Sequence, residues 1–213
     1  GLNFGWEHPL YFDAETPDSA GFARQPWWES VGREARMLRE AAGIIDISNF
    51  AKYRVTAPGA EDWLNALFAN RMPRAVGRSC LTPLIGKRGG VAGDFTVTRL
   101  AEDEFLIIGS GMAERFHQRF FSEIPLPDGT TFTSETEAMC GFNLAGPRAR
   151  DLLSRLTNDD LSNEAFPFLR SRRITVAGTE CTALRVSFTG DLGWELHCDA
   201  GDQVALYTAL IEA

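Results

Sequence analysis

The sequence predicts an α+β fold built from two related strand-helix-hairpin-helix units with antiparallel sheets, and three observations predict it. The segment RVTAPGAEDWL at 54–64 returns as NLAGPRARDLL at 143–153, an offset of 89 measured from Pro58 to Pro147. The same offset aligns Asp62 with Asp151, Leu64 with Leu153, Leu67 with Leu156, Val97 with Val186 and Phe105 with Trp194. In both copies an alternating stretch passes into an apolar stripe at helical spacing, which marks a strand entering a helix. Between the copies, the Gly89-Gly90 pair and the polar Ala101-Glu102-Asp103 turn cut the apolar runs into hairpin-sized pieces. A register shared by strand, helix and hairpin marks an internal duplication, spanning about 50–122 and 139–213.

Taken in order, residues 1–26 read as an irregular N-terminal arm, because Trp6, Tyr11, Phe12 and Phe22 are scattered among Gly5, Pro9, Pro17 and Gly21 without periodicity. WWESVGREARMLREAAG predicts a helix with Val31, Ala35, Leu38 and Ala42 on one side, stopping at Gly43. The remainder, 27–213, forms the body. Lys52–Ala57 alternates as a strand, and Pro58 suits the first turn of a helix whose stripe is Trp63, Leu64, Leu67 and Phe68. The hairpin follows, then a short helix over Met112–Phe121. The second copy repeats the order from Phe142 through Leu156 and closes with a helix over about Asp202–Leu210. Each sheet should carry its helices on one face. The chain stops as that last helix ends, which is expected either of a piece of a longer polypeptide, or one that has lost a further domain, or of a chain that genuinely ends there.

The 213 residues are 44% hydrophobic and 23% charged, enough apolar material for a sizeable core. A formal charge of −8, with acids interleaved among the bases, excludes nucleic acid as the main partner. No run approaches the roughly 18 apolar residues of a membrane span, and GLNFGWEHPL lacks the blocks of a signal peptide. Cys80, Cys140, Cys181 and Cys198 form no CxxC pattern and read as free thiols in a reducing compartment. That compartment is the cytoplasm, or the mitochondrial matrix in a eukaryote. His8, His117 and His197 show no metal-ligand spacing with the cysteines, so no metal is expected and the histidines are assigned to surface or packing.

Scaffold residues should repeat between copies, whereas site residues need not. At the offset of 89, Asp94 falls on Ala183, Phe188 on Arg99 and Glu195 on Leu106. Asp94, Phe188 and Glu195 are therefore the candidate site residues. A competing feature, FLIIGSGMAER at 105–115, places GxG between a strand and a helix, as a dinucleotide fingerprint does. Its third glycine position is Glu114 and its strand belongs to a hairpin, so it reads as a tight turn.

Five ordered segments carry a resemblance: GWEHPLYF at 5–12, GIIDISNFAKYRV at 43–55, GGVAGDFTVTRL at 89–100, LAGPRARDLL at 144–153 and RVSFTGDLGWELH at 185–197. With them the chain resembles the folate-binding aminomethyltransferase family, the glycine-cleavage T-proteins. GWEHPLYF favours the carboxy-terminal part of dimethylglycine and sarcosine dehydrogenases. The resemblance implies a T-protein-like fold lacking its C-terminal barrel domain, with tetrahydrofolate at the centre of a three-domain ring.

It also implies roles. Glu195 falls on the glutamate that holds the pterin, whose adjacent N3–H and amino donors suit a bidentate carboxylate. Asp94 falls on the acid beside the folate nitrogens, where it orients the amine, stabilises developing positive charge and takes a proton. Phe188 replaces a common tyrosine, keeping a ring for stacking and losing the hydroxyl. The family's further arginine comes from a following region that this chain does not contain.

The expected function is a one-carbon transfer module. It captures a methylene unit from a small N-methyl amine, of the dimethylglycine or sarcosine type, as 5,10-methylenetetrahydrofolate. FAD enters only through a flavin domain or subunit upstream. Two rival readings are a T-protein working with a lipoyl carrier protein and a non-catalytic folate-fold binding module.

Overall fold

The computed structural model describes residues 1–3, 6–16, 21–187 and 189–213. In chain order the strands are β1 (Leu2–Asn3), β2 (Trp6–Glu7), β3 (Gly43–Asp46), β4 (Ala51–Thr56), β5 (Arg78–Ile85), β6 (Val91–Ala101), β7 (Glu104–Gly109), β8 (Thr131–Ser134), β9 (Met139–Ala145), β10 (Ser171–Val176), β11 (Thr179–Leu184) and β12 (Gly193–Asp199). The helices are α1 (Trp28–Glu40), α2 (Ala60–Leu67), α3 (Glu114–Phe121), α4 (Ala149–Leu153) and α5 (Gln203–Glu212).

The strands make two open five-stranded sheets, ordered β5-β6-β7-β4-β8 and β10-β11-β12-β9-β3, and β1 pairs with β2 in a short ribbon. Every described strand pair is antiparallel. Neither sheet closes into a barrel, and the predicted α+β class is what forms.

Each sheet has one apolar face with helices on it. In the first, Tyr53, Val55, Phe95, Val97, Phe105 and Ile107 pack against Trp63, Leu64 and Leu67 of α2 and Phe121 of α3. In the second, Phe142, Leu144, Trp194, Leu196 and Cys198 pack against Ala149 and Leu153 of α4 and Leu206 and Leu210 of α5. The alternation of strand side chains selects these faces, because residues two apart look the same way. Leu64 and its repeat mate Leu153 are both fully buried, as are Phe105 and Trp194. Cys140 and Cys198 are Cα partners in this core, with sulfurs 3.2 Å apart.

The opposite faces meet through a smaller cluster of Leu106, Ile108, Leu184 and Val186. A backbone seam, Ser79 N–H to Leu169 O at 2.9 Å and Ser171 N–H to Gly77 O at 2.8 Å, joins the sheets at one side.

The copies are also intertwined. β3 precedes the first repeat yet pairs with β9 of the second, Ile44 opposite Leu144. β8 precedes the second repeat and pairs with β4 of the first, Phe132 opposite Val55. Each repeat thus donates its leading strand to the other's sheet.

Several sequence expectations are revised. The offset of 89 holds from β4 to β9 and from β7 to β12 but slides in the hairpin. Thr98 pairs with Leu106, whereas Glu195, the mate of Leu106, pairs with Leu184, so the offset there is 86. In space Ala183 is therefore the counterpart of Val97, not of Asp94. A two-residue turn after β6 becomes an eight-residue connection after β11, and that connection absorbs the slip.

The first helix ends at Glu40 rather than Gly43, because Gly43 is taken into the β3–β9 ladder opposite Ala145. Its anticipated apolar stripe is mostly not core: Ser30 is its buried residue and Leu38 is 36% exposed, while Ala42, past the helix end, packs against the second core. Pro58 sits outside α2, which opens after Gly59 at φ 81°. The Gly-Ser-Gly turn is confirmed as close packing. A Cβ on Gly111 would lie 1.7 Å from Asn49 O, and the strand before it is antiparallel to both neighbours.

Candidate functional site

On β6, Phe95 and Val97 turn toward the helices, so Asp94, Thr96 and Thr98 turn toward the other sheet. Thr96 and Thr98 stand opposite Ile108 and Leu106, two residues of the inter-sheet cluster. Asp94, opposite Pro83, is the exposed end of this row, and its carboxylate has no hydrogen-bond partner among the described residues.

Behind it, the backbone at Gly93 is crossed by His117 of α3. A Cβ on Gly93 would lie 2.6 Å from His117 Nε2, and the imidazole is 1% exposed. Burial holds the His117 pKa below its ordinary value, while the Asp94 charge and a hydrogen bond at Ala92 work against that.

The same alternation places Glu195. Trp194, Leu196 and Cys198 enter the second core, which leaves Glu195 and His197 on the inter-sheet face. Glu195 is flanked by Asn143 on β9 and Leu184 on β11. Its side chain is 19% exposed and His197 Nε2 lies 3.2 Å from its Oε2. The first repeat fills this position with Leu106, which is fully buried. A carboxylate thus stands where the fold elsewhere takes a core leucine, and most of its lone pairs are open to a ligand.

The facing strands are charged on this side too. Lys52, fully buried, donates to Ser48 O at 2.8 Å and Phe50 O at 2.9 Å, and burial holds its pKa below the usual lysine value. Arg54 bonds Glu135 at 2.5 and 2.9 Å and also pairs with Glu104. Lys52 and Arg54 thus put charge on the inter-sheet side of the first sheet, beside the apolar cluster.

The structure therefore brings Asp94 and Glu195 to the same inter-sheet side from different sheets, with no hydrogen bond or ion pair joining them among the described residues. Phe188, the third candidate, lies outside the described residues. His197, which the sequence reading assigns to surface or packing, is buried, and the structure sets it beside Glu195. The available signal was its spacing of two from Glu195 on a strand, which puts both on one face. Among the described residues no group of three His, Cys, Asp or Glu is arranged to hold a metal.

Two open surface depressions lie away from these residues. One, of about 470 Å³, is bordered by Arg155, Asn158, Asp159 and Thr175. The other, of about 530 Å³, lies by Gly1, Glu7 and His8. No helix among the described residues is long and apolar enough to cross a membrane.

Comparison with known proteins gives three findings. The GCVT N-terminal domain profile matches residues 2–213. Among curated relatives, human mitochondrial dimethylglycine dehydrogenase is 33% identical over the whole chain, which spans 25% of that protein. Human mitochondrial sarcosine dehydrogenase is 30% identical over 92% of the chain, or 23% of that protein. Among solved structures, the glycine cleavage system aminomethyltransferase T from Bartonella henselae superposes with a TM-score of 0.79 at 22% identity, covering 99% of this chain and 52% of the other. The chain spans about a quarter of the length of the dehydrogenases it matches.

Proposed function

The chain belongs to the GCVT N-terminal domain family, and from that premise we propose that it is a tetrahydrofolate-binding one-carbon transfer module. In this reading it captures a methylene unit from a small N-methyl amine of the dimethylglycine or sarcosine type as 5,10-methylenetetrahydrofolate. The observation that carries it is Glu195, a mostly buried carboxylate on the inter-sheet face at the position that the first repeat fills with a core leucine. Holding a carboxylate there has a desolvation cost that a ligand presenting two adjacent N–H donors offsets. The aminopyrimidinone edge of a pterin is such a ligand.

The donor set suits folate. Glu195 would hold the pterin edge and Phe188 would offer a ring face. Asp94, exposed and without a partner, would orient the amine and take a proton. Bound tetrahydrofolate would supply the nitrogens that accept the one-carbon unit; the chain's own part is to bind, orient and move a proton at the Asp94 carboxylate. The apolar cluster of Leu106, Ile108, Leu184 and Val186 lies on the same side and would limit water there.

The amine oxidation itself is assigned to a separate flavin-bearing domain or subunit holding FAD. Human dimethylglycine dehydrogenase, of which this chain matches 25%, has length for such a unit. Residues 1–26 would then be an arm and 27–213 the folate-binding region. Its compartment would be reducing, a cytoplasm or a mitochondrial matrix, in keeping with four unbridged cysteines.

Titration with tetrahydrofolate, read by tryptophan fluorescence, tests the assignment. Saturable binding should weaken by about tenfold or more in Glu195→Gln, the loss of a charged hydrogen-bonding group. Asp94→Ala should lower one-carbon transfer by about 100-fold, the usual contribution of a positioned acid or base. Binding and transfer both unchanged in the two variants would end the reading.

A further inference from the structure

We propose that His197 is a positioning residue for Glu195, fixing the plane of its carboxylate for a ligand with paired N–H donors. The proposal rests on the reading of Glu195 given above. His197 Nε2 lies 3.2 Å from Glu195 Oε2, and the imidazole side chain is 0% exposed. It rests over Gly141, where a Cβ would come within 2.6 Å of Nδ1 and 3.0 Å of Cε1. Ile47 borders the same space, 3.2 Å from that Cβ position. The ring therefore cannot swing away, and glycine on β9 is what gives it room.

The tautomer follows from what the two groups can do. An ionised carboxylate only accepts, so Nε2 must carry the proton that joins them. Nδ1 has no partner. The opposite tautomer would set two acceptors 3.2 Å apart and bury an unbonded N–H, a costlier arrangement than a buried acceptor left bare.

The terminal torsion of a glutamate is soft. One hydrogen bond from a side chain buried between the sheets removes that freedom and leaves the remaining lone pairs aimed in fixed directions. A ligand engaging both oxygens then binds without first ordering the carboxylate.

The test uses the whole chain with tetrahydrofolate as probe, in His197→Leu, His197→Gln, Glu195→Gln and the Leu/Gln double variant, each checked for its thermal transition. His197→Leu should weaken binding about tenfold, and His197→Gln, whose amide donates from a similar place, should recover to within about threefold of wild type. On the Glu195→Gln background, His197→Leu should cause little further loss. Independently of binding, ¹⁵N NMR of the wild-type imidazole should show the proton at Nε2 and none at Nδ1.

An imidazole with no proton at Nε2 would overturn the proposal. So would wild-type affinity in folded His197→Leu with Glu195→Gln impaired, which leaves the reading of Glu195 intact. An equal loss on both backgrounds would mean that His197 only packs. Equal affinity in wild type and Glu195→Gln would remove the reading of Glu195 itself, and the proposal with it.

Discussion

Gly141 shows how one missing atom shapes the candidate site. It lies on β9 opposite His197, and its bare Cα is the floor on which the imidazole rests. Gly141→Ala would drive a methyl group to 2.6 Å from Nδ1, so either the ring or the strand must move. The expected loss of stability is about 1–3 kcal/mol, as for other overpacked cores. It should appear as a lower urea midpoint, together with a shift of the His197 imidazole resonances. An unchanged midpoint would mean that the ring has room elsewhere. Glu195 was legible in the sequence as a candidate because it breaks the repeat, and Asp94 only through the family resemblance, since the offset of 86 sets it against Glu180, another acid. His197 was not, since nothing in a one-dimensional register tells whether a histidine lies in a core, on a surface or beneath a carboxylate.

At the scale of elements, the exchange of leading strands makes a prediction that runs against sequence proximity. Ile44 leads into the first repeat but packs with the core of the second, and Phe132, which leads into the second, packs with the core of the first, stacking 5.6 Å from Tyr53. Ile44→Asp should therefore speed amide exchange at Phe142 and Leu144 of β9 before it affects β4, with a destabilisation of about 2 kcal/mol. Phe132→Asp should instead loosen β4 and the Tyr53 region. Exchange rising mainly within each variant's own repeat would show that the leading strands are dispensable to the sheets they join. The hairpins and helix stripes were readable from alternation and turn residues. The pairing of β3 with β9 was not, because Ile44 and Leu144 are joined by hydrogen bonds that leave no trace in either local pattern.

For the whole molecule, the row of buried thiols ties stability to alkaline pH. Burial, with the hydrogen bond to Cys198, pushes the Cys140 thiol up to about 12. The neighbouring Cys181 and burial push Cys198 up as well. An unfolded cysteine ionises near 9. The folded pKa is the higher one, so the native state holds more protons above pH 9. The thiols' contribution is then complete below about pH 9 and is lost as pH rises toward 12. Lys52, held below the usual lysine value by burial, acts in the opposite sense as pH approaches 10.5. The comparison that isolates the thiol is Cys140→Ala: between pH 9 and 11 the urea midpoint should fall further in wild type than in the variant. Parallel profiles would remove the thiol from the account.

The sequence by itself determined the duplication, the identity of every α-helix, the hairpin of the first copy and the apolar faces of α2 and α3, and it put forward Asp94 and Glu195 as candidates. Periodicity carries that information because it records which side of an element avoids water. Only the tertiary structure decided what covers each side. It gave each repeat the other's leading strand, left the stripe of α1 outside both cores except at Ala42, and slid the repeat register from 89 to 86 where the longer β11–β12 connection absorbs the difference. It also set His197 against Glu195 over the space of a glycine. Those outcomes depend on contacts between residues far apart in the chain, whose energies are settled when the two sheets meet rather than within any single segment.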